Sequence, residues 1–213
     1  LHALLFAAAS GGKDLKNVVT WVNSINVQDA IGSCSDETVL SSLLHFARLD
    51  GKTRSSIFTT LSEMLSVFDY PTVFDAAVKG GLALEEFLDG RPNTLYLCAP
   101  PEDQKKFGGL FISVMRYLMR LATRKNWGFK PWTDSAPPCP LLVMLDEAGN
   151  IAPFEDLDSL ATYAAGSGIQ LVSVFHDLSQ LTELYGEGRA RTIVNNHSSL
   201  LILPGSRDYA LSE

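Results

Sequence analysis

The sequence predicts an α/β chain in two parts: a small all-helical domain over residues 1–78 and a parallel-sheet domain over residues 79–213. Two patterns carry this. Up to residue 78, apolar residues recur at helical spacing and no stretch reads as a convincing strand. Beyond it, the short apolar runs Thr94–Ala99, Leu141–Leu145, Gln170–Phe175 and Ser199–Leu203 alternate with helical stretches. That alternation is the signature of a parallel sheet covered on both faces.

In chain order, Asp14 to Asn23 places Leu15, Val18, Val19 and Val22 on one helical stripe. Asp36 is a fitting N-cap for a helix carrying Val39, Leu40, Leu43, Leu44 and Ala47. Thr53 or Ser55 starts a third, with Ile57, Leu61, Met64, Leu65 and Phe68. Pro71 ends it and opens a short fourth. Lys79-Gly80-Gly81 reads as a linker. Glu102 to Asn126 is a long helix, and Pro131 to Pro140 a proline-rich loop. Glu155–Ala164 and Asp177–Tyr185 are the helices between the later strands.

The 213 residues are 46% hydrophobic and 19% charged, which excludes a disordered tail or a coiled-coil rod. A net charge of −7 argues against a free-standing DNA clamp while allowing local basic patches. Cys34, Cys98 and Cys139 form no CxxC pair, so neither a disulfide scaffold nor a structural zinc site is expected. No apolar run reaches the ~18 residues of a membrane helix. The chain starts without Met, which reads as a piece of a longer protein.

The strongest motif is Leu141-Leu142-Val143-Met144-Leu145-Asp146-Glu147, an apolar strand ending in two acids. Ligands of open α/β sheets bind beyond the C-terminal ends of strands. Asp146 there can hold Mg²⁺ through water against nucleotide phosphates. Glu147 can orient and deprotonate an attacking water, completing a Walker B arrangement. The alternative is a strand that ends in solvated carboxylates. The partner motif, a G-x-x-x-x-G-K-[ST] phosphate loop, is missing. Gly51-Lys52-Thr53 has Phe46 where the first Gly belongs and follows a helix. Gly11-Gly12-Lys13 fails on Ala7 and Asp14.

His176 ends the third strand, where a polar group can sense a γ-phosphate or cap the strand. Asp177 reads as an N-cap. Asn195, Asn196 and His197 contact nucleotide or a neighbouring subunit, or shape a turn. Arg189 and Arg191 precede a strand, and either reaches a neighbour's phosphate as an arginine finger. Arg116, Arg120 and Arg124 repeat every four residues, a solvated helix face in preference to a nucleic-acid track. Trp21, Trp127 and Trp132 are expected in the core or at a domain seam, not as a base-stacking platform.

Leu141–Pro153 (LLVMLDEAGNIAP), Gly168-Ile169, Phe175–Leu181 (FHDLSQL) and Tyr185-Gly186 together resemble the TraG/TraD-like coupling proteins, the ATPases of conjugative type IV secretion. Arg91–Leu97 (RPNTLYL) fits the same family, and Gly51–Ile57 (GKTRSSI) is similar to its actinobacterial-type members. The resemblance implies a RecA-like P-loop NTPase domain with a helical domain inserted, its phosphate loop upstream of Leu1. It implies ATP and Mg²⁺ as cofactors, with Glu147 and His176 catalytic and Asp146, Asn196 and Arg191 toward the nucleotide. It also implies a homo-hexamer at the cytoplasmic face of the membrane, anchored through a separate N-terminal segment. The implied partners are relaxase-bound DNA, secretion-channel proteins and an accessory TraM-like protein.

Two departures stand out. Many members carry Gln at the position of His176; histidine donates a similar hydrogen bond and, as a residue type, changes charge near neutral pH. Many also have G-R-x-R-G where this chain reads Ala164-Ala165-Gly166-Ser167-Gly168, so both arginines are gone. The rival readings are another RecA-like DNA translocase and a non-catalytic substrate-docking module.

Overall fold

Asp14, Asp36 and Asp50 start three helices of the first unit, each accepting backbone N–H groups that a helix leaves unpaired. The computed structural model describes residues 1–80 and 83–203; Gly81 of the expected linker lies outside them. The chain divides into two units, Leu1–Leu82 and Ala83–Glu213. The described residues of the first are helical: α1 (His2–Ser10), α2 (Leu15–Asn23), α3 (Gln28–Ser33), α4 (Glu37–Ala47), α5 (Gly51–Leu65) and α6 (Pro71–Lys79). Val18, Trp21, Val22, Leu43, Phe58 and Leu61 form the centre of its core.

Gly51-Lys52-Thr53 is the first turn of α5. The Asp50 carboxylate accepts from the Lys52 and Thr53 N–H groups, both at 3.0 Å. Those amides are therefore engaged in a helix cap. The N-cap is Asp50, ahead of the Thr53 or Ser55 start expected from the sequence, because its carboxylate already satisfies the amides of the turn that Gly51 opens.

The second unit opens with α7 (Leu84–Phe87) and the 22-residue α8 (Gln104–Lys125). β1 (Leu141–Leu145) then leads through α9 (Ala148–Ile151) and α10 (Leu157–Tyr163) to β2 (Ile169–Ser173) and α11 (Leu178–Asn196). The strands pair in parallel, Leu141 opposite Ile169 and Leu145 opposite Ser173. Leu141, Val143, Leu145 and Ile169 pack with Leu118, Met119 and Ala122 of α8 and with Leu157, Leu160 and Ile193.

The architecture is α/β, but its sheet is smaller and more open than expected. Among the described residues it has two strands, not four. Thr94–Ala99 and Ser199–Leu203 join no ladder, and Leu201 is 82% exposed. An apolar run becomes a strand only where a second backbone lies alongside to satisfy its N–H and C=O groups. Nor is the sheet covered on both faces: Leu142 and Met144 on the reverse of β1 are 58% and 63% exposed. Trp21 is in the core as expected, whereas Trp127 and Trp132 are exposed. They belong to the segment joining α8 to β1, which forms no element that could bury them.

Asn126 ties this segment down. It is the buried polar residue among the described residues. Its amide donates to the Cys139 and Ser167 carbonyls at 2.8 and 2.9 Å, and its oxygen accepts from the Cys139 N–H at 2.7 Å. The side chain thus joins the approach to β1 with the turn before β2. Gly168 in that turn has φ 70°, and a Cβ there would stand 2.5 Å from the Asn126 amide nitrogen. Only glycine meets both demands. Asn126→Ala strands the Cys139 and Ser167 groups and is expected to cost about 2–3 kcal/mol of unfolding free energy. A urea titration monitoring this unit checks it; an unchanged midpoint would contradict the clamp.

Candidate functional site

The parallel register carries the chain ends of β1 and β2 out on the same side. Val174 N–H donates to Leu145 C=O at 2.9 Å, and Ala148 N–H to Val174 C=O at 3.0 Å. These bonds extend the pairing past both strands and bring Asp146-Glu147 alongside Phe175-His176. Glu147 makes the turn itself, at φ 49° and ψ 48°. A side chain in the left-handed region carries backbone strain. Here the strain accompanies a sharp reversal from strand into α9, held by Asn150 N–H to Glu147 C=O at 2.8 Å.

The Glu147 and His176 side chains meet: Oε1 of the acid is 3.9 Å from Nε2 of the imidazole, and both are partly exposed. Around them runs a polar chain. Asn150 Nδ2 donates to Glu147 Oε2 at 3.4 Å, and Gln180 Nε2 to Asn150 Oδ1 at 3.3 Å. His176 N–H donates to Gln180 Oε1 at 3.2 Å. Gly149 makes room for Gln180, since a Cβ there would lie 2.6 Å from its amide carbon. Asp177 caps α11 by accepting from Gln180 N–H at 2.8 Å. Asp146 is exposed, and its carboxylate takes no part in this chain of bonds.

Asn196 and Arg191 are not joined to this cluster by any hydrogen bond among the described residues. Both lie in α11, not in a loop before a strand. Asn196 donates to Thr162 Oγ1 of α10 at 2.7 Å. His197, just beyond α11, bonds Ile193 C=O at 2.7 Å and the Ser173 hydroxyl at 3.3 Å. Arg189 is committed to structure. Its guanidinium donates to Asp158 at 2.7 Å and to the Glu155 carbonyl, and stands over the Tyr185 ring at 5.5 Å. The hydrogen bond from Arg189 holds the Asp158 carboxyl below the usual carboxylate range. Gly186, at φ 75° within α11, turns the chain so that Arg189 returns onto α10.

The match to a family model decides the affiliation. The model for type IV secretory system conjugative DNA transfer matches residues 8–212. The chain belongs to that conjugative DNA-transfer family. Membership assigns it to the DNA-transfer machinery of type IV secretion. No curated protein and no solved structure gave a significant match. Among the described residues of this family member, no helix is long and apolar enough to cross a membrane.

Asn150 and Gln180 were not singled out from the sequence, although both stand in its most distinctive stretches. The signal for Gln180 is its place three residues after the Asp177 cap, where Gln or Glu reaches back to a free N–H. Asn150 has no comparable signal. In Gln180→Ala, the Asn150 side-chain amide and His176 backbone amide resonances are expected to shift while those of Leu118 and Leu160 stay in place. An NMR correlation spectrum reads this out, and unmoved Asn150 and His176 signals would contradict the network.

Proposed function

We propose that this chain is the Walker B half of a RecA-like motor, with its helical domain, from a coupling ATPase that delivers relaxase-bound substrates to a type IV secretion channel. The observation that carries the reading is the β1–β2 register, which sets Glu147 beside His176 at one end of the sheet with Asp146 exposed next to them. That is the end of a parallel sheet at which ligands bind.

The residues fit the division of labour of phosphoryl transfer. Bound Mg²⁺–ATP would supply the phosphoanhydride bond to be broken. Asp146 would hold the cation through water. Glu147 orients the attacking water and accepts its proton. His176 donates a hydrogen bond toward the developing negative charge. Asn150 and Gln180 keep the acid and the His176 segment in register. The phosphates would be gripped by polypeptide outside these residues, since neither Gly-Lys stretch forms a phosphate loop.

The reading extends to a homo-hexamer in which Arg191 reaches the neighbouring subunit's nucleotide. Arg191 is exposed, whereas Arg189 is held by Asp158. Relaxase-bound DNA, channel proteins and a TraM-like accessory protein are the proposed partners. Attachment to the cytoplasmic face of the membrane would come from an N-terminal anchor.

The test is ATP turnover by the complete protein under assembling conditions, with and without single-stranded DNA. Glu147→Gln is expected to lower turnover at least about a hundredfold, the range of a lost general base. Turnover unaffected by that change would remove Glu147 from catalysis, and no turnover under assembling conditions would leave a docking module in place of a motor. Arg191→Ala is expected to abolish DNA-stimulated turnover without lowering the melting temperature. Arg189→Ala should do the reverse, lowering the melting temperature first. Equal turnover in wild type and Arg191→Ala would remove Arg191 from the site.

A further inference from the structure

We propose that His197 is a positioning residue: acting through Ser173, it holds the end of β2 so that His176 stays beside Glu147. Ser173 is the last residue of β2 and stands opposite Leu145, the residue before Asp146-Glu147. Side chains alternate along a strand, so Ser173 follows Ile169 and Leu171 onto the side of β2 that packs in the core. His197 follows the last turn of α11 and meets Ser173 there, with Nε2 3.3 Å from the hydroxyl. Its Nδ1 lies 2.7 Å from the Ile193 carbonyl. A carbonyl only accepts, so in the neutral ring Nδ1 carries the proton and Nε2 accepts from the Ser173 O–H. Both side chains are half-buried. The sequence left His197 open between nucleotide, a neighbouring subunit and a turn; both of its ring nitrogens are engaged inside this unit.

The end of β2 needs such a hold. Among the described residues β1 is the one strand beside it. Past Ser173 the pairing continues through Val174 on the β1 side, and Phe175 packs against the core. The bond from Ser173 to His197 adds a restraint from α11, three residues before His176. The α11 end is itself fixed, since Asn196 donates to Thr162 of α10 at 2.7 Å. At 3.9 Å, Glu147 and His176 stand near the outer limit of an ion pair, so a small drift of β2 would part them. The consequence for turnover rests on the ATPase reading; the placement of His176 does not.

The experiment joins ATP turnover by the complete protein, with Glu147→Gln in the same series, to NMR spectra of the 213-residue chain. Ser173→Ala is expected to lower kcat at least about tenfold with KM for ATP unchanged, as for a slightly misplaced catalytic group. His197→Ala should do the same, and the double variant should lower kcat no further, because one bond is lost in each case. Ser173→Thr, which keeps the hydroxyl, should recover most of the loss. Thr162→Val, which frees the same helix end from α10, should leave kcat unchanged. In the spectra, the imidazole nitrogen shifts should place the His197 proton on Nδ1, and Ser173→Ala should move the His176 amide and ring signals. Loss of turnover in Glu147→Gln with full kcat in Ser173→Ala would overturn the positioning role and leave the motor reading standing. Equal loss in Thr162→Val would reduce His197 to an anchor of α11 and overturn the role as well. If Glu147→Gln leaves turnover intact, the motor reading fails and the spectra decide: unmoved His176 signals, or a proton on Nε2 of His197, would overturn the proposal.

Discussion

The second unit depends on one constraint, the parallel register of β1 and β2. With Leu145 opposite Ser173, the continuing pair Leu145–Val174 carries both chains outward together. Glu147 Oε1 then lies 3.9 Å from His176 Nε2. A slip of one residue would turn Leu141, Val143 and Leu145 out of the core and exchange Asp146 for Glu147 at the site. Register is therefore protected at both ends. Asn126 fixes the entry to both strands, and the left-handed turn at Glu147 fixes the exit.

Packing and site chemistry draw on the same residues. Phe154 and Leu157 fill the core below the sheet, while Asp156 and Asp158 beside them hold Arg116 of α8 and Arg189 of α11. Exposed ion pairs of this kind add little stability singly. Their effect is positional: one ties α8 to the start of α10 and the other ties α10 to α11. Among the described residues this separates the arginines of the unit into those engaged in structure and those left facing solvent, Arg120, Arg124 and Arg191.

Much of this was legible in the sequence. The bounds of β1 could be read directly, because a five-residue apolar run between Pro140 and two acids leaves little choice. The caps at Asp36 and Asp177 were equally plain, since an acid before a periodic apolar stretch has a local job. What escaped was whatever depends on distant partners. Thr94–Ala99 and Ser199–Leu203 have strand composition, but pairing needs another backbone alongside. Trp127 and Trp132 have core composition, but they sit where no element forms. Asn150 and Gln180 are ordinary amides until β1 and α11 meet. Arg189 and Arg191 look alike in sequence, and only the kink at Gly186 sends one to Asp158.

The most direct test of the account is a cryo-electron microscopy structure of the complete, assembled protein with ADP and a phosphate transition-state analogue. The analogue is expected at the C-terminal end of β1, with Glu147 and His176 both facing it and Asp146 toward its cation. Density for the nucleotide elsewhere, with Glu147 and His176 facing solvent as a pair, would contradict it.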